Sequence, residues 1–124
     1  MVQEHSGTGP HRLLVADEQG LLAGYASTSR FRERAAYNPT VEASIYCAPE
    51  RVGRGIGTSL YRALFKAIAG EDINRIVAGI TLPNDASVAL HRSFGFTQVG
   101  VFTQNGRKFE RYWEVAWFER PLVA

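Results

Sequence analysis

Residues Arg51 to Gly70 read RVGRGIGTSLYRALFKAIAG. Gly53, Gly55 and Gly57 alternate with Arg54 and Ile56, and an amphipathic run follows. Ile56, Leu60, Ala63, Leu64, Ala67 and Ile68 recur at helical spacing as one apolar stripe. Gly70 is placed to stop that helix. The first-turn N–H groups of a helix have no partner inside it and sit at the positive end of its dipole, so the start of this helix favours an anion. The glycines allow turn dihedrals and let a phosphate come close to the backbone, and Arg54 can add a charge-assisted hydrogen bond. The spacing is not a Walker loop, because no Gly-Lys-Ser/Thr follows, nor is it GxGxxG, because Thr58 and Ser59 follow Gly57. A tight strand-to-helix turn with no ligand is the other reading of the same residues.

Outward from this stretch the chain alternates strands and helices. Thr40–Ala48 (TVEASIYCA) mixes β-branched and aromatic residues and reads as a strand closed by Pro49. Before it, His11–Asp17 and Leu21–Ser29 read as a hairpin turning at EQG, and Arg30–Pro39 as a charged loop. Residues 1–10 read as a flexible terminus. After the helix, Ile73–Leu82 is dense in Ile and Val and is expected to be buried on both faces. PNDASVALHRSFGF opens with a turn, forms a short helix from about Asp85 to Phe94 and ends at Gly95. FTQVGVFTQ and KFERYWEVAWFE make two last strands, with the turn expected at Asn105-Gly106. The order β-β-β-α-β-α-β-β describes an α/β fold with a mixed central sheet, in a single domain of 124 residues.

Composition narrows the function. Cys47 is the one cysteine, so no internal disulfide framework exists, which fits a reducing, cytoplasmic setting. No stretch approaches the roughly 20 apolar residues of a membrane helix, and MVQEHSGTGPHR is too polar for a signal peptide. The net charge is +2, and the basic residues are scattered, Arg107 and Lys108 among them. That pattern suits local sites for small anions better than a nucleic-acid surface. His5 and His11 have no partners at metal-ligand spacing, so no metal site is indicated.

The stretches VEASIY, GRGIGTSLY, LPNDASVALHRSFGF and GRKFERYWEV carry a resemblance. From about Arg12 to Leu122 the chain resembles the acetyl-CoA-dependent N-acetyltransferase (GNAT) superfamily. Within it, the chain looks most like the phosphinothricin and methionine sulfone or sulfoximine N-acetyltransferases. The resemblance implies that the turn from Gly53 through Arg54, Gly55, Ile56 and Gly57 to Thr58 cradles the coenzyme pyrophosphate. Val52 stands where the family pattern often has Arg or Gln, with Arg51 one place earlier. The backbone of Ile45, Tyr46 and Cys47 is implied to pair with the pantetheine arm, and Asn84 to contact that arm. Glu42 is implied as the base that takes the amine proton and His91 as a proton donor. A solvated strand position for Glu42 and a satisfied core histidine for His91 are the plainer readings. Arg32, Arg34 and Tyr37 lie in the loop that resembles the substrate segment, and Ser44 can line the same pocket, because Glu42, Ser44 and Tyr46 share one face of a strand. An ordinary solvated loop is the plainer reading of Arg32, Arg34 and Tyr37. Cys47 reads as a small strand residue, not a nucleophile.

Family members usually carry a strand and two helices before the first hairpin, and this sequence is N-terminally shortened relative to that pattern. The expectation is therefore bare apolar surface at Leu13, Val15, Leu22 and Tyr25 and association as a homodimer. The expected activity is transfer of acetyl from acetyl-CoA to a small amine acceptor. An acetyl-CoA-binding protein without transferase activity and a protein-directed lysine or N-terminal acetyltransferase are the alternatives.

Overall fold

The computed structural model describes residues 2–51 and 53–123, with the backbone alone of Asn105. The elements are β1 (Val2–Glu4), β2 (Leu13–Glu18), β3 (Leu21–Arg30), β4 (Thr40–Cys47), α1 (Ile56–Ile68), β5 (Arg75–Thr81), α2 (Asp85–Ser93), β6 (Thr97–Lys108) and β7 (Arg111–Pro121). They form one sheet in the order β1-β2-β3-β4-β5-β7-β6. Among the described residues, β4 and β5 are the one parallel pair. The order expected from sequence is present and gains β1 at the start.

Residues 1–10 were expected to be flexible, but Val2–Glu4 pairs with Leu14–Ala16. Arg12 ties this edge down. Its guanidinium bonds Glu4, the Gly9 carbonyl at 2.6 Å and Glu71 at 2.9 Å. One arginine thus links the terminus to the end of α1, a long-range tie that no local pattern announces.

Helix α1 lies across β2, β3 and β4. The stripe read from its period is the buried one: Leu60, Leu64 and Ile68 are enclosed, and Ile56, Ala63 and Ala67 pack at the margin. Tyr61, outside that stripe, is fully buried as well. On the sheet, Val41, Ala43, Ile76, Ala78, Ile80, Ala116 and Phe118 complete the core. Gly24 of β3 has to be glycine, since a Cβ there would collide with the carbonyl oxygen of Tyr46.

Strand β5 was expected to be covered on both faces. Instead it alternates: Ile76, Ala78 and Ile80 are buried, while Arg75, Gly79 and Thr81 are exposed. The helices cover a single face of the sheet. The opposite face shows Leu13, Leu22 and Tyr25 exposed, as expected, with Val15 half-buried.

The last hairpin turns at Phe109-Glu110, not at Asn105-Gly106. Both turn residues have positive φ, 55° and 59°, the mirror-image turn that matches strand twist. The ladder runs on to Lys108↔Arg111, and Trp113 Nε1 donates to the Lys108 carbonyl at 3.0 Å. Asn105 and Gly106 fall inside β6, at an irregularity between Phe102 and Gly106. The glycine is used for a bulge, and the longer ladder wins over the local turn signal.

Candidate functional site

The site begins where two strands part. Asn74 and Arg75 both donate backbone N–H to the Pro39 carbonyl, at 2.7 and 3.2 Å, which closes one end of the β4–β5 pair. Pairing then runs only from Thr40↔Arg75 to Glu42↔Val77. Beyond it β4 continues against β3 as far as Cys47, and β5 continues against β7 as far as Thr81. The edge of β4 from Ala43 to Cys47 therefore has no partner strand on the β5 side.

A cleft of about 490 Å³ borders that parting. Ile45 and Cys47 line it from β4, the Gly53–Thr58 turn from one end, and Asn84, Ser87, Leu90 and Ser93 from α2. Its electrostatics come from α1. Gly55 caps that helix in a left-handed conformation, φ 75°, with no side-chain cap and no acidic residue in the first turn. The first internal acceptor is used only by Ser59, whose N–H reaches the Gly55 carbonyl at 3.0 Å. The N–H groups of Ile56, Gly57 and Thr58 are left open at the positive end of the dipole. Helix α2 is the contrast: the Asn84 side chain accepts from Ser87 N–H at 3.1 Å and Asp85 supplies a carboxylate. Both helix starts border the cleft, but α2 is capped by its own residues while α1 is bare. Gly57 keeps the floor low, because a Cβ there would sit 3.1 Å from Leu90 and 3.7 Å from the Cys47 sulfur. Burial pushes the Cys47 thiol up from its ordinary value, so it stays protonated and is a poor nucleophile.

The two arginines of the turn divide differently from the sequence expectation. Arg54, expected on the phosphate, points to Glu18 at 3.5 Å and does not line the cleft. Arg51 does line it, and its Nε is held by the same Glu18 oxygen at 3.0 Å. Glu18 comes from the hairpin end of β2, so one carboxylate from a distant segment holds both arginines, and of the two only Arg51 borders the cleft. Val52 lies outside the described residues.

Strand β4 presents its residues alternately. Ile45 and Cys47 face the cleft. Glu42, Ser44 and Tyr46 lie together on the opposite face, where Tyr46 stacks on Tyr25 with ring centroids 5.6 Å apart. Glu42 is half-buried and is the last β4 residue paired with β5, so its carboxylate stands at the point of parting. Tyr46 can offer the cleft backbone only.

His91 does not face the cleft. It is 2% exposed, with Nε2 2.7 Å from the Tyr61 hydroxyl and Nδ1 2.7 Å from the Ser87 carbonyl. A carbonyl only accepts, so Nδ1 carries the hydrogen and Nε2 accepts from the phenol. Burial lowers the imidazole pKa and keeps the ring neutral. The expected proton donor is thus a core histidine with both nitrogens committed, and the reason is its partner on α1. Arg32, Arg34 and Tyr37, expected beside Ser44 in the acceptor pocket, lie on the exposed β3–β4 connection and are not part of the lining of this cleft. The Arg32 guanidinium rests on its neighbour Phe31, 3.9 Å from the ring centroid.

Sequence reasoning missed Arg51, Ser87, Leu90 and Ser93. The three α2 residues recur every third position from Asn84, a helical face that the spacing alone could have supplied. It also missed Trp117 and Glu119, which share the face of Glu42: Val77 pairs with both Glu42 and Glu119, and Gly79 with Trp117.

The acetyltransferase (GNAT) family profile matches residues 2–96. An N-acetyltransferase of Streptomyces griseus is 53% identical over 123 residues, covering 95% of this chain and 63% of its own length. A phosphinothricin N-acetyltransferase of Streptomyces coelicolor is 52% identical over 120 residues, covering 95% of this chain and 70% of its own. Among solved structures, a GNAT superfamily phosphinothricin acetyltransferase from Sinorhizobium meliloti in complex with AcCoA superposes with a TM-score of 0.81 at 38% identity. That match covers 90% of this chain and 60% of the other. The chain spans somewhat under two-thirds of the length of the Streptomyces griseus relative.

Proposed function

The chain belongs to the acetyltransferase (GNAT) family, and on that premise we propose that it moves an acetyl group from acetyl-CoA to the amine of a small amino-acid-like acceptor. The acceptor is of the phosphinothricin or methionine sulfone type, by likeness to the relatives. The observation that carries the reading is the uncapped start of α1 opening into the cleft beside an unpaired stretch of β4.

The residues suit the coenzyme's chemistry. A pyrophosphate is an anion that wants several fixed donors, and Ile56, Gly57 and Thr58 offer backbone N–H groups with no competing carboxylate in their turn. Arg51 adds charge at the rim. The free edge of β4 at Ile45–Cys47 offers hydrogen bonds to an extended amide chain, as a missing strand would. Asn84 spends its oxygen on the cap and retains its NH₂ donors for the same chain.

Transfer requires a neutral amine. Glu42 on the opposite face at the parting is placed to take the amine proton, directly or through a water. The C–N bond forms as the C–S bond breaks, and the proton released by the amine balances the one taken up by the departing thiolate. No external acid is needed in that balance, which accords with His91 being occupied in the core.

A homodimer and a cytoplasmic setting belong to the same proposal. Leu13, Tyr25, Tyr46 and Phe102 are large exposed apolar residues of the kind that association covers. Among the described residues, no helix is long and apolar enough to cross a membrane. The test is thiol release from acetyl-CoA with phosphinothricin or methionine sulfone as acceptor, together with calorimetry of acetyl-CoA binding. Binding without release with any amino-acid acceptor would leave a coenzyme-binding protein and overturn the transferase reading.

A further inference from the structure

Trp117 sits on the Glu42 face in an arrangement that the fold alone does not account for. Its partner across the ladder is Gly79 of β5, two residues beyond Val77, the partner of Glu42. The indole lies flat on that glycine: a Cβ at Gly79 would meet ring atoms Cη2, Cζ3 and Cζ2 at 3.0 to 3.2 Å. Phe102 flanks the ring with centroids 6.2 Å apart. The indole Nε1 is closed off from water and has no hydrogen-bond partner among the described residues. Trp113, the other tryptophan, donates to a carbonyl. Buried donors are nearly always paired, so an unpaired one calls for a partner.

Its place fits an acceptor. With strands ~4.8 Å apart and ~3.3 Å of rise per residue, the Gly79 Cα lies about 8 Å from that of Glu42. That interval, across the parting, suits one small amine between carboxylate and indole.

We infer that Trp117 is a specificity-determining wall of the acceptor site: its ring tilts off Gly79 when the acceptor binds, and Nε1–H donates to a sulfonyl or phosphinyl oxygen of that acceptor. The inference rests on the transferase reading of this face. Only packing holds the ring, so the tilt breaks no hydrogen bond. A neutral donor selects for an oxygen acceptor at its position and discriminates against a thioether, which accepts weakly.

The probe is ¹⁹F NMR of protein labelled with 5-fluorotryptophan, its two signals assigned with W113F and W117F, titrated with methionine sulfone and with methionine. The Trp117 signal is expected to shift saturably with the sulfone while the Trp113 signal stays. In kinetics, W117F keeps a ring and drops the donor. It should raise KM for the sulfone about tenfold and KM for methionine far less, and so shrink the preference between the two acceptors. A Trp117 signal unmoved at saturating sulfone overturns the inference, as does an unchanged sulfone preference in W117F. If the wild-type protein transfers no acetyl group but the Trp117 signal still moves with sulfone, the transferase reading fails and the role of Trp117 as an acceptor wall falls with it, leaving a sulfone-binding contact at the indole.

Discussion

The Tyr61 hydroxyl donates to Nε2 of His91 across 2.7 Å, joining α1 to α2 inside the core. Both residues are almost fully enclosed, and His91 also packs edge-on against Tyr61 and Phe96 with centroids 5.1 Å away in each case. Tyr61→Phe removes the donor and leaves a buried nitrogen unpaired, a loss of about 1–3 kcal/mol. Chemical denaturation should show that loss with acetyl-CoA affinity unchanged. A variant as stable as wild type would mean that the bond contributes nothing.

The burial of His91 makes stability depend on pH. Burial holds the folded His91 below the unfolded value of 6.5. Between those two values the unfolded chain binds a proton that the folded chain does not. Its contribution is therefore complete above pH 6.5 and is lost as pH falls from there toward the folded value. Melting temperature should decline across that window, and H91Q should flatten that part of the decline. An identical slope in H91Q would assign the effect to other groups.

At the coenzyme end, Gly55→Asp sets a carboxylate at the mouth of α1. The backbone there is left-handed, which costs an aspartate on the order of 1 kcal/mol, so the fold should survive. Acetyl-CoA affinity by calorimetry should fall at least tenfold, because like charges meet where the helix start otherwise attracts an anion. Undiminished affinity would remove the turn from the binding site.

The turn's two arginines should differ in effect. Both pair with Glu18, but Arg51 lines the cleft and Arg54 does not. Arg51→Gln should weaken acetyl-CoA binding about tenfold, the scale of one hydrogen bond to a charged group. Arg54→Gln should change it far less. Equal losses would show that Glu18 releases Arg54 when the ligand binds.

Two carboxylates flank Val77 on the proposed acceptor face, Glu42 from β4 and Glu119 from β7. Only Glu42 stands at the parting. Glu42→Gln should cut turnover about a hundredfold or more, typical of a lost general base, with acetyl-CoA affinity intact. Glu119→Gln should be mild. The reverse ranking in steady-state thiol release would move the base to Glu119.

What was legible in the sequence follows from how local each signal is. The stripe Leu60, Leu64 and Ile68 needs only the helical period, and the glycine turn needs only its own residues. The shared face of Glu42, Ser44 and Tyr46 follows from strand alternation, although which face they take depends on α1. His91 could not be placed without Tyr61, thirty positions earlier. Arg51 and Arg54 both pair with Glu18 on a separate hairpin, a contact that no local pattern announces. The Asn105-Gly106 signal was real but is used by a bulge, since the ladder continuing to Lys108 outweighs a local turn preference.

The alternation along β4 has an evolutionary consequence. Ile45 and Cys47 meet the cleft, while Glu42, Ser44 and Tyr46 meet the other face. Odd and even positions of one strand therefore answer to separate selective pressures. Under the proposed function, mutations at Ser44 or Tyr46 would retune the choice of amine while the coenzyme grip stays constant. An insertion or deletion of a single residue in this strand would exchange the two roles at once. Drift in acceptor preference should therefore proceed by substitution within a fixed strand length.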